Sequence, residues 1–235
     1  TGPRSTAAFI STAMSTNDRH GGSGSQRASM DRIYRYQRHI YDLTRRWFLL
    51  GRTTLVEGLQ PTDGGGVLEI GCGTAWNLIR IAGRYPAARL HGLDISTVML
   101  ATARRRIAAN GLSGRIRLAA ADATRFDAGA LFGETGFDRV VISYALSMIP
   151  KWETVLDQAI NCLGRNGQLH IVDFGRMDNI PALLRAAFLR FLAHYNVTPR
   201  RELETVLRAA AKRHGLSITF EEMRSGYTAY AVLRR

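Results

Sequence analysis

Short apolar runs recur along the middle of this chain, and most are closed by glycine or by an acid. Residues 67–70 end in Gly71-Cys72-Gly73, residues 89–94 end in Asp94 itself, and residues 116–121 are followed by Asp122. Residues 137–143 and 168–174 repeat the pattern. Runs of this length, rich in Val, Ile and Leu, predict buried strands. Between them the period lengthens to that of a helix. One helical stretch carries Leu78, Ile79 and Ile81 and stops at Tyr85-Pro86. A second, 97–110, stops before Gly111, and a third, 152–163, is closed by Gly164. Residues 181–197 place Leu184, Phe188, Phe191, Leu192 and Tyr195 on one helical face beside Arg185 and Arg190. Residues 217–222 and 226–233 read as a terminal β-hairpin. Five strands alternating with helices, then a hairpin, predict an α/β fold: a Rossmann-like, doubly wound, mostly parallel seven-stranded sheet with a C-terminal antiparallel hairpin.

Before the core the pattern differs twice. Residues 1–29 are rich in Ser, Thr, Gly and Ala, include Gly21-Gly22-Ser23-Gly24-Ser25, and predict a disordered tail. From Ser29, which can cap a helix, apolar and aromatic residues fall at Ile33, Tyr36, Ile40, Leu43, Trp47 and Leu50, with steps of three and four. Arg32, Arg35, Arg38, Arg45, Arg46 and Arg52 surround them. This predicts an N-terminal helical cap over 30–60, with the core at 61–235 and a helical insertion at about 178–214. A basic amphipathic helix with interfacial aromatics can lie on a lipid surface, and it can equally be a packed helix with a solvated arginine face.

Charge sharpens that choice. The chain of 235 residues carries 32 Lys and Arg against 19 Asp and Glu, a formal net charge of +13. Only Lys151 and Lys212 are lysines, so arginine supplies nearly all of the excess. Codon usage can account for the arginine preference but not for the net charge, which implies a polyanionic partner: nucleic acid or an anionic membrane surface. Cys72 and Cys162 are the only cysteines, which excludes a disulfide scaffold and a multi-cysteine zinc site and fits a reducing cytoplasm.

In an open parallel sheet, ligands bind outside the carboxyl ends of the strands. The first such loop reads Glu69-Ile70-Gly71-Cys72-Gly73-Thr74-Ala75-Trp76-Asn77. Its glycines allow a sharp turn and close approach of a ligand. A dinucleotide loop would carry a third glycine where Trp76 stands, which argues against a nicotinamide or flavin enzyme. Glu69 suits an ammonium group better than a pyrophosphate. Asp94 is placed to accept both hydroxyls of a ribose. Asp122, between Ala121 and Ala123, can accept an exocyclic adenine amine and leave room for the ring. Each acid alone is as readily a helix cap; the ordered set is specific.

Glu69-Ile-Gly71-Cys-Gly73-Thr, then Gly92-Leu-Asp94-Ile-Ser96, then Ala121-Asp122-Ala123 resembles a class I S-adenosylmethionine-dependent methyltransferase over about residues 60–175. The resemblance implies S-adenosyl-L-methionine as cofactor. It implies binding residues Glu69, Gly71, Cys72, Gly73, Thr74, Asn77, Asp94, Asp122, Ala123 and Ser143, with Ile95 and Met99 against the adenine. The loop after the fourth strand, Ser143-Tyr144-Ala145-Leu146-Ser147, would face the transferred methyl. It lacks the Asn/Asp-Pro-Pro-Tyr run of amide and base methylases. An amine acceptor has its own lone pair and needs positioning and desolvation rather than a metal. No metal is therefore expected, and Tyr144 is the candidate to contact the amine.

The segment Ile40-Tyr41-Asp42-Leu43-Thr44-Arg45-Arg46-Trp47-Phe48-Leu49-Leu50-Gly51-Arg52, with Asn196-Val197-Thr198-Pro199-Arg200, is similar to bacterial diacylglyceryl-homoserine N-methyltransferases. These methylate one lipid amine three times to make a betaine head group. The polar aromatics of the basic helix point to a ligand, which makes Tyr41, beside Tyr144, a candidate at the reacting amine, and Arg45 or Arg46, with Tyr36 and His39, candidates on the substrate. A guanidinium is the shape that holds the head-group carboxylate. The implied partners are diacylglyceryl-homoserine and an anionic membrane surface, with the protein cytoplasmic and peripheral at the inner membrane face. Functional coupling to the enzyme that makes the homoserine lipid also follows, and nucleic acid is not expected. The rival readings are a phosphatidylethanolamine or quinone-precursor methyltransferase, an RNA methyltransferase, and a non-catalytic anionic-surface-binding module.

Overall fold

The computed structural model describes residues 49–235. The strands are β1 (Gly66–Ile70), β2 (Arg89–Asp94), β3 (Ile116–Ala120), β4 (Phe137–Ser143), β5 (Leu163–Phe174), β6 (Ser217–Met223) and β7 (Thr228–Arg234). They form one seven-stranded sheet in the order β3-β2-β1-β4-β5-β7-β6. The first five are parallel, and β7 runs antiparallel between β5 and β6. The expected doubly wound sheet with a C-terminal antiparallel hairpin is what is observed.

Alternation along the strands divides the core. Leu68, Ile70, Val140, Ile142, Leu169 and Ile171 share one apolar cluster. Val67, Val141 and Val172, one residue out of phase, belong to the cluster on the opposite face. Helices α1 (Arg52–Gly58), α2 (Trp76–Arg84) and α3 (Thr97–Ala109) cover the second cluster, and α4 (Ala128–Phe132) and α5 (Trp152–Asn161) the first. The central strand β1 is buried along its whole length because both faces and both edges are occupied.

Besides shifts of one to three residues at element ends, three larger differences separate the fold from the sequence expectation. Strand β5 begins at Leu163, five residues before the apolar run, with a register shift opposite Phe137 and Arg139. Gly164 lies so close to Gly136 that the two backbones meet where side chains would stand. Helix α4 was not anticipated, although its signals are present: Asp127 accepts from the Ala130 amide at 3.1 Å, and Gly133 closes it at φ +73°. The region 178–214 holds two helices, α6 (Ala182–His194) and α7 (Leu203–Arg213). Helix α7 buries Leu207 and Ala210 in the first cluster, so it belongs to the core.

Of the expected N-terminal cap, only its end is described. Leu55 and Leu59 are fully buried, and Arg139 on β4 donates to the Leu59 and Gln60 carbonyls at 2.5 and 2.6 Å. Tyr36, His39, Tyr41, Arg45 and Arg46 lie outside the described residues, as does the expected tail 1–29.

Candidate active site

Parallel pairing brings the carboxyl ends of β1, β2, β3, β4 and β5 to one edge, and the candidate residues gather there. Glu69, near the end of β1, is 2% exposed, and its Oε1 accepts from Asn77 Nδ2 at 2.6 Å. This ties the strand to the first turn of α2 across the glycine loop. The loop doubles back because Gly71, Gly73 and Ala75 all have positive φ, at +73°, +53° and +59°. The amides of Gly71 and Cys72 both donate to the Leu93 carbonyl. Gly71 has no room for a side chain: a Cβ there would stand 2.8 Å from that of Ala145, in the turn after β4. Cys72 is buried against Gly92, and burial, with the charges of Asp94 and Glu69, raises its thiol well above the ordinary range. The thiol therefore stays protonated and packs as a small apolar group.

Asp94 closes β2 and grips the same loop. Its Oδ2 accepts from the Gly73 amide at 2.8 Å and its Oδ1 from the Ser96 amide at 2.9 Å. Ser96 in turn caps α3 by accepting from the Met99 amide. Met99 is buried and Ile95 half-buried beside this carboxylate. Asp122, beyond β3, accepts from the amide and hydroxyl of Thr124 and lines a cavity of about 390 Å³ with Ala121, Phe126 and Leu131. Thr74 is buried and its hydroxyl accepts from Arg106 Nη1 at 2.8 Å. The expected cofactor residues thus surround one edge of the sheet.

The profile of a family described as methyltransferase domain matches residues 67–167. Residues 67–167 thus match a methyltransferase domain, and the sheet has the fold of S-adenosylmethionine-dependent methyltransferases. A phosphatidylethanolamine N-methyltransferase of Cereibacter sphaeroides is 33% identical over 129 residues, 54% of this chain and 60% of that one. A ubiquinone/menaquinone biosynthesis C-methyltransferase of Paracoccus denitrificans is 28% identical over 132 residues, 56% of this chain and 51% of that one. The chain therefore spans roughly half of these relatives. A phosphoethanolamine N-methyltransferase of Haemonchus contortus, solved with phosphomonomethylethanolamine and S-adenosylhomocysteine, superposes with a TM-score of 0.68 at 16% identity. That match covers 88% of this chain and 59% of that one. The methyltransferase SibL, in its apo form, gives 0.65 at 22%, covering 83% and 57%.

The cofactor of this domain is S-adenosyl-L-methionine, and the residues present fit it. Among the described residues, the buried Asn77 Oδ1 and Ser143 Oγ have no hydrogen-bond partner, and they flank the glycine loop from α2 and β4. Buried polar atoms left this way call for a partner, and a ligand bound over the glycine loop would supply one. Glu69 and Asn77 would hold the amino-acid end and Asp94 the ribose, while Ile95, Met99 and Asp122 would border the adenine. When bound, the cofactor supplies a methyl group on a positively charged sulfur.

Tyr144, the candidate at the reacting amine, follows β4 at φ +54°. Its hydroxyl donates to the Leu50 carbonyl at 2.6 Å and lies 3.2 Å from Thr228 Oγ1, and its ring meets Phe174 edge-on. Burial raises its pKa further above the ordinary phenol range. The hydroxyl thus joins the segment at Leu50 to β7, and the Tyr144 ring is buried in the core.

Two roles are not legible in the sequence. Asp173, fully buried at the end of β5, has its carboxyl raised to about 6 by desolvation. It sat inside an apolar run, where a strand-end acid like Asp94 was the available signal. Arg52 lies over one face of Trp76, at 3.9 Å from the ring centroid, with Arg80 also over the ring at 4.2 Å. The bulky residue that argued against a dinucleotide is accommodated by two guanidinium groups.

Proposed function

We propose that this protein N-methylates the head-group amine of a lipid, converting diacylglyceryl-homoserine to its trimethylated betaine by three successive transfers. The observation that carries the lipid part is helix α6. Of its 13 residues only Leu192 is buried, while Leu183 and Leu184 are 83% and 62% exposed. The helix contains Arg185 and Arg190 and no acid. Phe188 rests 6.2 Å from Phe174, the last residue of β5, so α6 stands beside the strand ends that form the site. An apolar, basic helix in that position suits an anionic bilayer, where each arginine near the surface contributes about 1 kcal/mol. Among the described residues no helix is long and apolar enough to cross a membrane, so contact through α6 would be peripheral.

The homoserine head group is supported by the likeness of residues 40–52 and 196–200 to the betaine-lipid enzymes. The amine loses its N–H donors one by one as methylation proceeds. The carboxylate is the constant handle, assigned to Arg45 or Arg46. Tyr36, His39 and Tyr41 complete this side of the reading.

The test supplies the full chain and S-adenosylmethionine with anionic vesicles containing diacylglyceryl-homoserine or phosphatidylethanolamine, and follows lipid masses. Three methyl additions to the homoserine lipid alone are expected. A Leu183→Glu, Leu184→Glu variant should lose vesicle flotation and lipid methylation together. Methylation confined to phosphatidylethanolamine, or to added RNA, overturns the assignment.

A further inference from the structure

Residues 144–151 join β4 to α5, and in the methyltransferase reading the first part of this loop, 144–149, faces the acceptor. They contain a single 3₁₀ turn, Leu146–Met148. A turn so short has little of its own to hold it. It is nevertheless fixed from two directions by groups distant in sequence. From β5, Asp173 Oδ2 accepts from the Ser147 amide at 3.2 Å, while Oδ1 accepts from the Phe174 amide at 2.8 Å. From the far side of α6, Arg200 Nε donates to the Leu146 carbonyl at 3.2 Å and Nη2 to the Ile149 carbonyl at 2.8 Å. The Thr198 amide completes the set by donating to the Ser147 carbonyl at 2.8 Å. The position matters because Ala145, at the start of the turn, occupies the space that a side chain on Gly71 would need. The turn therefore touches the cofactor loop directly.

From this geometry we infer that Arg200 and Asp173 are positioning residues that clamp the turn after β4, holding the methyl acceptor's wall in register with the cofactor loop. The inference rests on the methyltransferase reading above but not on which lipid is methylated. It gives residues 196–200 a physical task. They form a strap between α6 and the turn, so the helix proposed to meet the bilayer is bonded to the wall that receives the head group. The fork of Arg200 suits the task, because one planar group spans two carbonyls three residues apart. Lysine keeps the charge and cannot reach both.

The test uses the full chain with Arg200→Ala, Arg200→Lys and Asp173→Asn. Amide hydrogen exchange should quicken in residues 144–149 in each variant, with the rest of the sheet unchanged. Calorimetric affinity for S-adenosylhomocysteine should stay within about threefold of wild type, while kcat for the lipid amine falls by about 10- to 100-fold, as small misplacements of reacting groups do. Arg200→Lys should recover part of the rate. Unchanged exchange in the turn overturns the clamp. So does an equal loss of cofactor affinity, which would make these residues supports of the whole core. Should the wild-type protein methylate no lipid amine, the lipid reading fails, and the exchange measurement still decides whether the clamp exists.

Discussion

Asp94→Asn separates two tasks that one carboxylate performs. Asp94 spends one oxygen on the Gly73 amide at 2.8 Å and the other on the Ser96 amide at 2.9 Å. Asparagine has the same shape and only one acceptor oxygen, so its NH₂ must face one of those amides. Hydrogen bonds to a charged group contribute about 1.5–3 kcal/mol each, and leaving a partly buried donor unmet costs about 1–3 kcal/mol. The ligand-free variant should therefore lose on the order of 1–3 kcal/mol of stability, a fall of a few degrees in melting temperature for a chain of this size. Cofactor binding loses more, because the charged acceptor for the ribose disappears and the Gly73 turn loosens at once. A loss of about 2–4 kcal/mol corresponds to a roughly 30- to 1,000-fold weaker Kd. Calorimetric titration with S-adenosylhomocysteine, beside thermal melts of the same samples, measures both. A folded variant with wild-type affinity would remove Asp94 from the cofactor site, and a lower melting temperature with unchanged affinity would leave it only the loop-holding task.

Tyr144→Phe removes the hydroxyl that meets the Leu50 carbonyl and Thr228 and should cost about 1–2 kcal/mol in urea unfolding, with S-adenosylhomocysteine affinity unchanged; a large drop in affinity would instead place that hydroxyl at the ligand. The buried His170 imidazole is pushed down to about 3, first by desolvation and then by the charges of Arg139 and Arg234. It is neutral when folded while the unfolded imidazole protonates near pH 6.5, so its share of stability is complete above about pH 6.5 and is lost as pH falls toward 3, on the order of 2 kcal/mol by pH 5. The stability profile of His170→Gln should be flatter by that amount between about pH 7.5 and 5, and a slope equal to wild type refutes the assignment.

Much of this protein is fixed by local pattern. Apolar runs closed by Gly71, Asp94 and Asp122 specify strands and place the candidate cofactor residues at their ends, because parallel pairing aligns those ends whatever the side chains beyond them do. The two-faced core follows from a period of two along the strands and is equally readable. Start and stop residues do less well: β5 runs past the glycines that looked like its boundary, because Gly164 and Gly136 let two backbones meet across the sheet, a contact no local window contains. What holds the turn after β4 was decided only by folding. In the sequence Asp173 is one polar residue in an apolar strand, and Arg200 ends a short segment that carries a family likeness but no visible task. Their joint hold on Leu146, Ser147 and Ile149 spans 26 residues to Asp173 and 54 to Arg200. Hydrogen bonds over such separations exist once the sheet has brought β4, β5 and the strap together, so their physical cause is tertiary, and the sequence carries only the residue types that make them available.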